Sequence, residues 1–321
     1  MRVQQDVRNA LLDGRPVVLL ETAVLTHGLP QEPWPATFGA PPAGIDHSLS
    51  IHVATMRAMD KAVRDGGATP AITAIIDGTP HIGLSDVQLD TLASDATATK
   101  AAAATIGQAI AMGSSAGTTV SGTLRLAAAV EASGLPMPRV FATGGIGGVH
   151  FGWQQCPDIS ADLGELSRQQ VCLVCAGAKS IIDPVATTEA LETLGIPVLG
   201  LGTNRLPRFQ APGDASCPPV TEVASGQDIA AIAAAHWTLP GSGGLLIVQP
   251  PPASEAMTLK AVEQAVEHAE DQVTETGQAR TPALLGAMAT MTAGATLRAN
   301  IALLVANAMA AAGLAGHLAQ D

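Results

Sequence analysis

The sequence contains no tyrosine, and only 4 Phe and 3 Trp among 321 residues. Stacking platforms for exposed bases are scarce, so a bound nucleotide would be held by backbone and small polar groups. Charge is thin as well. Only 14% of residues are charged, with 16 basic against 28 acidic side chains and a net charge of -12. That balance repels a nucleic-acid backbone and no basic cluster offsets it, so no nucleic-acid partner is expected. No apolar run reads as a membrane span; the richest ones, such as Gly243 to Val248, are strand-sized, and no membrane partner is expected. The stretch MRVQQDVRNALLDGRP reads as a short amphipathic helix and not as a signal peptide. The four cysteines are Cys156, Cys172, Cys175 and Cys217. Cys172 and Cys175 have CxxC spacing, but in an extended run residues three apart point to opposite faces. Zinc or a redox pair would need a turn there. Small buried thiols in a reducing, cytoplasmic compartment are the expectation.

What is abundant is small and apolar: 47% of residues are hydrophobic and 33 are glycine, which excludes disorder and allows a large core. Strand patterns cover Val17 to Val24, Ala71 to Ile76 with a return from His81, Arg139 to Thr143, the run from Val171, Ile196 to Gly200, and Gly243 to Val248. Helical spacing covers Ser48 to Arg64, the segment after Ser85, Ala101 to Met112, Gly117 through Val130, and Asp162 to Gln169. It resumes at Thr187 to Leu194, Asp228 to His236 and Met257 to Glu270, then from Pro282 to Leu318 with a break near Gly294. Strands and helices alternate with short connections. The pattern predicts a three-layer α/β/α fold with a largely parallel central sheet, in one domain over residues 1–321.

Four features carry chemistry. In VCLVCAGAKS the greasy run stops at Gly177 and Lys179 follows, where an open α/β sheet presents its ligands. A desolvated amine there can act as a Schiff-base nucleophile, a phosphate clamp, or a surface lysine with a buried stem. Glu21 is a carboxylate in an otherwise apolar strand, suited to general acid or base work or to a structural ion pair. His27 follows it in a glycine-containing loop, where it orients a substrate or caps backbone groups. The glycines of FATGGIGGVH form either an anion-binding nest or a tight loop, and they match neither the dinucleotide fingerprint nor a P-loop. In DISAD, Asp158 and Asp162 flank Ser160: a helix cap with a favourable acid in its first turn, or a hard-cation site near a phosphate.

The strings LLETAVLTHGLP, FATGGIGGVH, DISADL, VCAGAKSIID and RANIALLVANA, in this order along nearly the whole chain, resemble the pseudouridine-5'-phosphate glycosidases and related indigoidine synthase A-like proteins. The resemblance implies an intracellular homotrimer that uses Mn²⁺ and reversibly joins uracil to ribose 5-phosphate through a carbon–carbon bond. It places the nucleophile at Lys179, the acid/base at Glu21 and the metal ligand at Asp158. It places substrate contacts at Lys100, Val120, Ser160, Ala161, Asp162 and Asn300, with His150 at the end of the GGVH string. A C–C glycoside has no heteroatom leaving group, so a carboxylate pair alone serves poorly and an imine electron sink makes sense. The sequence also departs from the family pattern. Lys100 is followed by Ala101 to Ala104 instead of Ser-Arg-Arg-Asp, Phe151 replaces an arginine after GGVH, and Val248-Gln249-Pro250 replaces Ala-Asn-Pro. Those losses keep open a C-glycoside synthase acting on another ring, and a non-catalytic sugar-phosphate binder.

Overall fold

The protein is described from a computed structural model covering residues 1–155, 157–275 and 280–319. Seven strands run parallel: β2 (Val17–Leu20), β3 (Thr69–Ile76), β7 (Val140–Ala142), β8 (Cys172–Cys175), β9 (Val198–Leu201), β10 (Thr221–Val223) and β11 (Leu245–Val248). Their order is β3-β2-β7-β8-β11-β9-β10. Four short strands extend the sheet: β1 (Arg2–Val3), β4 (Thr79–Ile82), β5 (Thr99–Ala101) and β6 (Ala116–Thr118). Strand β4 returns on β3 as a hairpin through Asp77 and Gly78, both at positive φ, as the Asp-Gly pair predicts.

Both faces of the sheet are covered, which is why its strands read as continuous apolar runs. Val17 and Leu19 belong to one buried cluster, and Val18 and Leu20 to the other. The first cluster is closed by α1 (Gln5–Leu12), α5 (Val120–Ala132), α6 (Ala161–Leu166), α7 (Pro184–Thr193) and α9 (Leu259–Gln272). The second is closed by α2 (Ile51–Asp65), α3 (Asp86–Ser94), α8 (Gly226–Trp237) and α11 (Ala295–Leu318). The α4 segment (Ile106–Ala111) is short, and α10 (Arg280–Met291) precedes the left-handed Gly294 break. This is the three-layer α/β/α architecture expected. Ser85 caps α3 in a full capping box with Gln88, as its position predicts.

Cys175 sits in one cluster and Cys172 in the other, so the CxxC spacing spans the sheet and makes no site. Cys172, Cys175 and Cys217 are buried free thiols, whereas Cys156 lies outside the described residues.

Several expectations need correcting. Strand β2 ends at Leu20, and not at Val24, because β6 takes its place beside β3, pairing Gly117 with Ala74 and Ala116 with Ile75. The chain turns out through Thr22, whose hydroxyl donates to Thr73 O at 2.6 Å and accepts from the Thr118 amide at 3.1 Å. A π-helical turn, Val24–Gly28, follows. Ala101 to Met112 is not a continuous helix. It begins in β5, and Thr105 then bonds the Lys100 carbonyl and the Ala102 amide before α4 starts. Likewise Gly117-Thr118 is strand, and Thr119 caps α5.

The expectation about long apolar runs also fails. Helix α11 spans 24 residues with a mean hydropathy of 1.7 in its richest stretch, enough by length and composition to cross a bilayer. It lies instead across β2, β7 and β8 and against α2. Polar residues on its inner side do structural work. Asn307 donates to the carbonyls of Thr143 at 2.8 Å and Gly144 at 3.3 Å, and accepts from Gln249 at 2.8 Å. Asn307→Leu should therefore destabilise the fold by about 1–3 kcal/mol, since the Thr143 carbonyl loses the Asn307 donor and the Gln249 amide loses its acceptor, while Gly144 O keeps the Ala176 amide. Urea unfolding at constant m-value checks this; an unchanged midpoint would show that the contact is dispensable.

Candidate active site

The loops after β2, β7 and β8 enclose a cavity of about 400 Å³ at the carboxyl ends of the parallel strands. All ten residues that the resemblance singles out line it: Glu21, Lys100, Val120, His150, Asp158, Ser160, Ala161, Asp162, Lys179 and Asn300. His27 lines an adjoining pocket of about 210 Å³, which shares Gly28 and Asn300 with the main cavity.

Lys179 is delivered by a turn that requires glycine. Gly177 has φ +83°, and a Cβ there would lie 2.4 Å from the Pro207 carbonyl. Beyond it the chain pairs with the β7 loop, Ala178 opposite Ile146, and the Lys179 amide donates to Ile146 O at 3.0 Å. The two loops thereby fix each other.

Glu21 is the first residue beyond β2, and it is buried. Thr143, the first residue beyond β7, donates its hydroxyl to the Glu21 carboxylate. Burial raises the Glu21 pKa above its ordinary value, with Asp162 adding to the effect. The charge of Lys179, the Thr143 hydrogen bond and the charge of Lys100 oppose it. Lys100 projects from β5, where burial and the like charge of Lys179 lower its pKa to about 8. A carboxyl shifted up and an amine shifted down in one cavity have pKa values drawn toward each other, the pattern of a proton-transfer site.

The glycine loop is a scaffold more than an open anion nest. Its Ile146 amide donates to Gly177 O, Gly147 to Asp162 Oδ2 at 2.9 Å, Val149 to the Thr187 hydroxyl at 3.0 Å, and His150 to Asp158 O. Asp162 Oδ1 accepts from the Ser121 amide at 3.0 Å, so this carboxylate ties the loop to the start of α5. A Cβ on Gly147 would lie 2.4 Å from the Ser160 hydroxyl, so only glycine permits that approach. Ser160 caps α6, and Asp162 lies in its first turn, as the helix-start reading has it.

Asp158 is exposed, with His150 Nε2 3.9 Å from its Oδ2. Burial lowers the His150 pKa, with the Asp158 charge opposing and Arg280 reinforcing. Among the described residues no three His, Cys, Asp or Glu side chains converge as a metal cage. One carboxylate open to a cavity, with an imidazole nearby, fits a hard divalent cation whose other ligands are water or substrate oxygens.

Sequence motifs missed three cavity residues. Thr143 was read only as the end of a strand. Phe209 lines the wall at φ +60°, a conformation sparsely populated by bulky residues, and it packs over Gly144 and Gly145. Arg280 enters from the start of α10, far from any of the recognised strings. Phe151 is exposed and contributes nothing to the lining.

The model of the family described as indigoidine synthase A like protein matches residues 43–317. The chain belongs to the indigoidine synthase A-like family. A pseudouridine-5'-phosphate glycosidase of Myxococcus xanthus is 41% identical over 98% of this chain and 97% of its own length. That of Herpetosiphon aurantiacus is 40% identical, with 98% and 97% covered. Among solved structures, a prealnumycin C-glycosynthase in complex with ribulose 5-phosphate superimposes with TM-score 0.82 at 33% identity, covering 99% of this chain and 97% of that one. An indigoidine synthase A-like protein from Thermotoga maritima gives 0.80 at 30%, covering 95% and 94%.

Within this family site, Glu21→Gln separates chemistry from folding. A carboxyl whose folded pKa is raised contributes stability below pH 4.5, its ordinary value, and loses it as pH rises through the folded value. At neutral pH the variant should therefore melt higher than wild type, with the gain vanishing toward pH 4.5. Turnover should fall by at least ~10²-fold, as expected for loss of a general acid/base. Thermal melts across that range check the sign; a variant less stable at neutral pH would show that Glu21 is a structural ion-pair partner.

Proposed function

We propose that the chain is a C-glycosidase that cleaves pseudouridine 5'-phosphate to uracil and ribose 5-phosphate, reversibly, through an imine on Lys179. The observation carrying this reading is the placement of Lys179 and the buried Glu21 in one cavity. The near full-length likeness to proteins named for that activity supports it.

In the cleavage direction, Glu21 gives a proton to the ring oxygen O4' while the Lys179 amine adds at C1', opening the ribose. The carboxylate so formed takes a proton from the new secondary ammonium. The nitrogen lone pair then forms the C1' iminium as the C1'–C5 bond breaks, and Glu21 returns its proton to C5 of the departing uracil. Water adds to the iminium, regenerating the lysine and releasing ribose 5-phosphate. Thr143 holds the carboxyl in place throughout. Lys100, Asn300 and the Ser160 segment line the cavity and would position the sugar phosphate. Asp158, with His150 beside it, would hold Mn²⁺, which would supply positive charge to substrate oxygens. A homotrimer is the assembly the family resemblance implies. The buried free thiols fit a reducing cytoplasm.

A second reading is C-glycoside synthesis on another ring. It is favoured by the likeness to the prealnumycin C-glycosynthase and by Ala102, which gives the cavity an apolar wall where the family pattern has charge.

Incubation with pseudouridine 5'-phosphate and Mn²⁺, followed by chromatography, should yield uracil and ribose 5-phosphate, with pseudouridine a much poorer substrate. Chelation or Asp158→Asn should weaken substrate binding and leave the melting temperature unchanged. An enzyme that releases no uracil yet joins ribose 5-phosphate to a different ring would establish the second reading. Unfolding on chelation would contradict the assignment of Asp158.

A further inference from the structure

Arg280 opens α10, and the first turn of that helix, through Pro282, forms part of the cavity wall. Its charge is felt at His150, which adjoins Asp158. Lys100 lines the same cavity, and its charge reaches Glu21 and His27. Lys179 lies within range of both groups. The cavity thus carries two cationic poles besides Lys179.

The poles differ in kind. A lysine ammonium is a point charge that burial can discharge, whereas a guanidinium stays charged and offers a planar fork of donors matched to phosphate oxygens. The positive end of a 12-residue helix adds to the second pole. Arg280 is held there without being used up. Its Nη2 donates to Glu270 of α9, and Nη1 lies 3.4 Å from the Glu275 carbonyl. Among the described residues, those contacts engage two of the five donors a guanidinium carries. Both partners of the Glu270 pair are about one-third exposed, at 30% and 36%, so this bridge is weak and exchangeable.

We propose that Arg280 is the phosphate-recognition residue of this site, with Glu270 a resting counter-ion that holds the guanidinium at the cavity wall and yields it to the incoming dianion. This assignment rests on the sugar-phosphate reading above. Discrimination between phosphorylated and unphosphorylated C-nucleosides then comes from a segment outside every recognised motif. Glu270 tunes it: the tighter the resting bridge, the weaker the hold on phosphate.

Steady-state kinetics of the full-length enzyme with pseudouridine 5'-phosphate and with pseudouridine test the proposal. Arg280→Met should raise KM for the phosphorylated substrate by ~10- to 100-fold, the range for a lost charge-assisted contact, with little change in kcat. KM for pseudouridine should be unaffected, and competitive inhibition by inorganic phosphate should weaken in parallel. Arg280→Lys should recover part of the loss, and Glu270→Gln should lower KM for the phosphorylated substrate. An Arg280→Met enzyme with wild-type KM and phosphate inhibition, or one equally impaired on both substrates, would overturn the assignment. If the wild-type enzyme turns over neither compound, the reaction assigned above fails by itself. Calorimetry with ribose 5-phosphate then decides the role of Arg280: weakened binding in Arg280→Met upholds it, and unchanged or absent wild-type binding overturns it.

Discussion

A carboxyl group buried beside two lysines is the constraint around which this protein is organised. Glu21 cannot ionise freely out of water, and Lys100, buried and beside Lys179, cannot hold its proton at the ordinary pKa. Neither shift would survive in an open cleft, where water would solvate each charge separately. The fold must therefore bury these groups while keeping them on the wall of one cavity. The parallel sheet accomplishes this by ending β2, β7 and β8 at one level, so that Glu21, Thr143 and Lys179 arrive from adjacent strands.

The supporting layer is mostly backbone and hydroxyl chemistry, which suits a chain so poor in charge. Thr22, Thr73, Thr118 and Thr123 form a buried hydrogen-bonded cluster that pins the exit of β2 to β3, β6 and α5. Asp162 and Asn307 act from opposite sides on the loop after β7, one accepting a backbone amide and the other donating to backbone carbonyls. Such contacts hold geometry without adding mobile charge to the cavity. The few charges present are then left to the substrate, the cation expected at Asp158, and each other.

Much of this was legible from the residues. The alternation of apolar strands with capped helices gave the layers, and Lys179 after Gly177 marked the end of the sheet at which the cavity lies. The errors have a common cause. Glu21 looked embedded in a strand because an apolar run carries no sign of where a neighbouring strand, here β6, takes over the ladder. Helix α11 looked unexceptional because attention to continuous runs discounted a helix whose apolar character is spread among alanines and interrupted by Asn300 and Asn307. For the glycine loop, nest and tight loop both stayed open because the carboxylate that ties it down, Asp162, lies fifteen residues from Gly147 in sequence. Arg280 carried no local signal at all, since its importance depends wholly on where α10 packs. Local patterns report local geometry; they are silent on what a distant segment brings to the same cavity.

The central claim, covalent chemistry at Lys179 under the control of a buried Glu21, is tested most directly by reductive trapping. The enzyme is incubated with ribose 5-phosphate and borohydride, digested, and its peptides mapped by mass spectrometry. A sugar-phosphate adduct on the peptide containing Lys179, absent from Lys179→Met, is the predicted result. No adduct, or an adduct confined to Lys100, would contradict it.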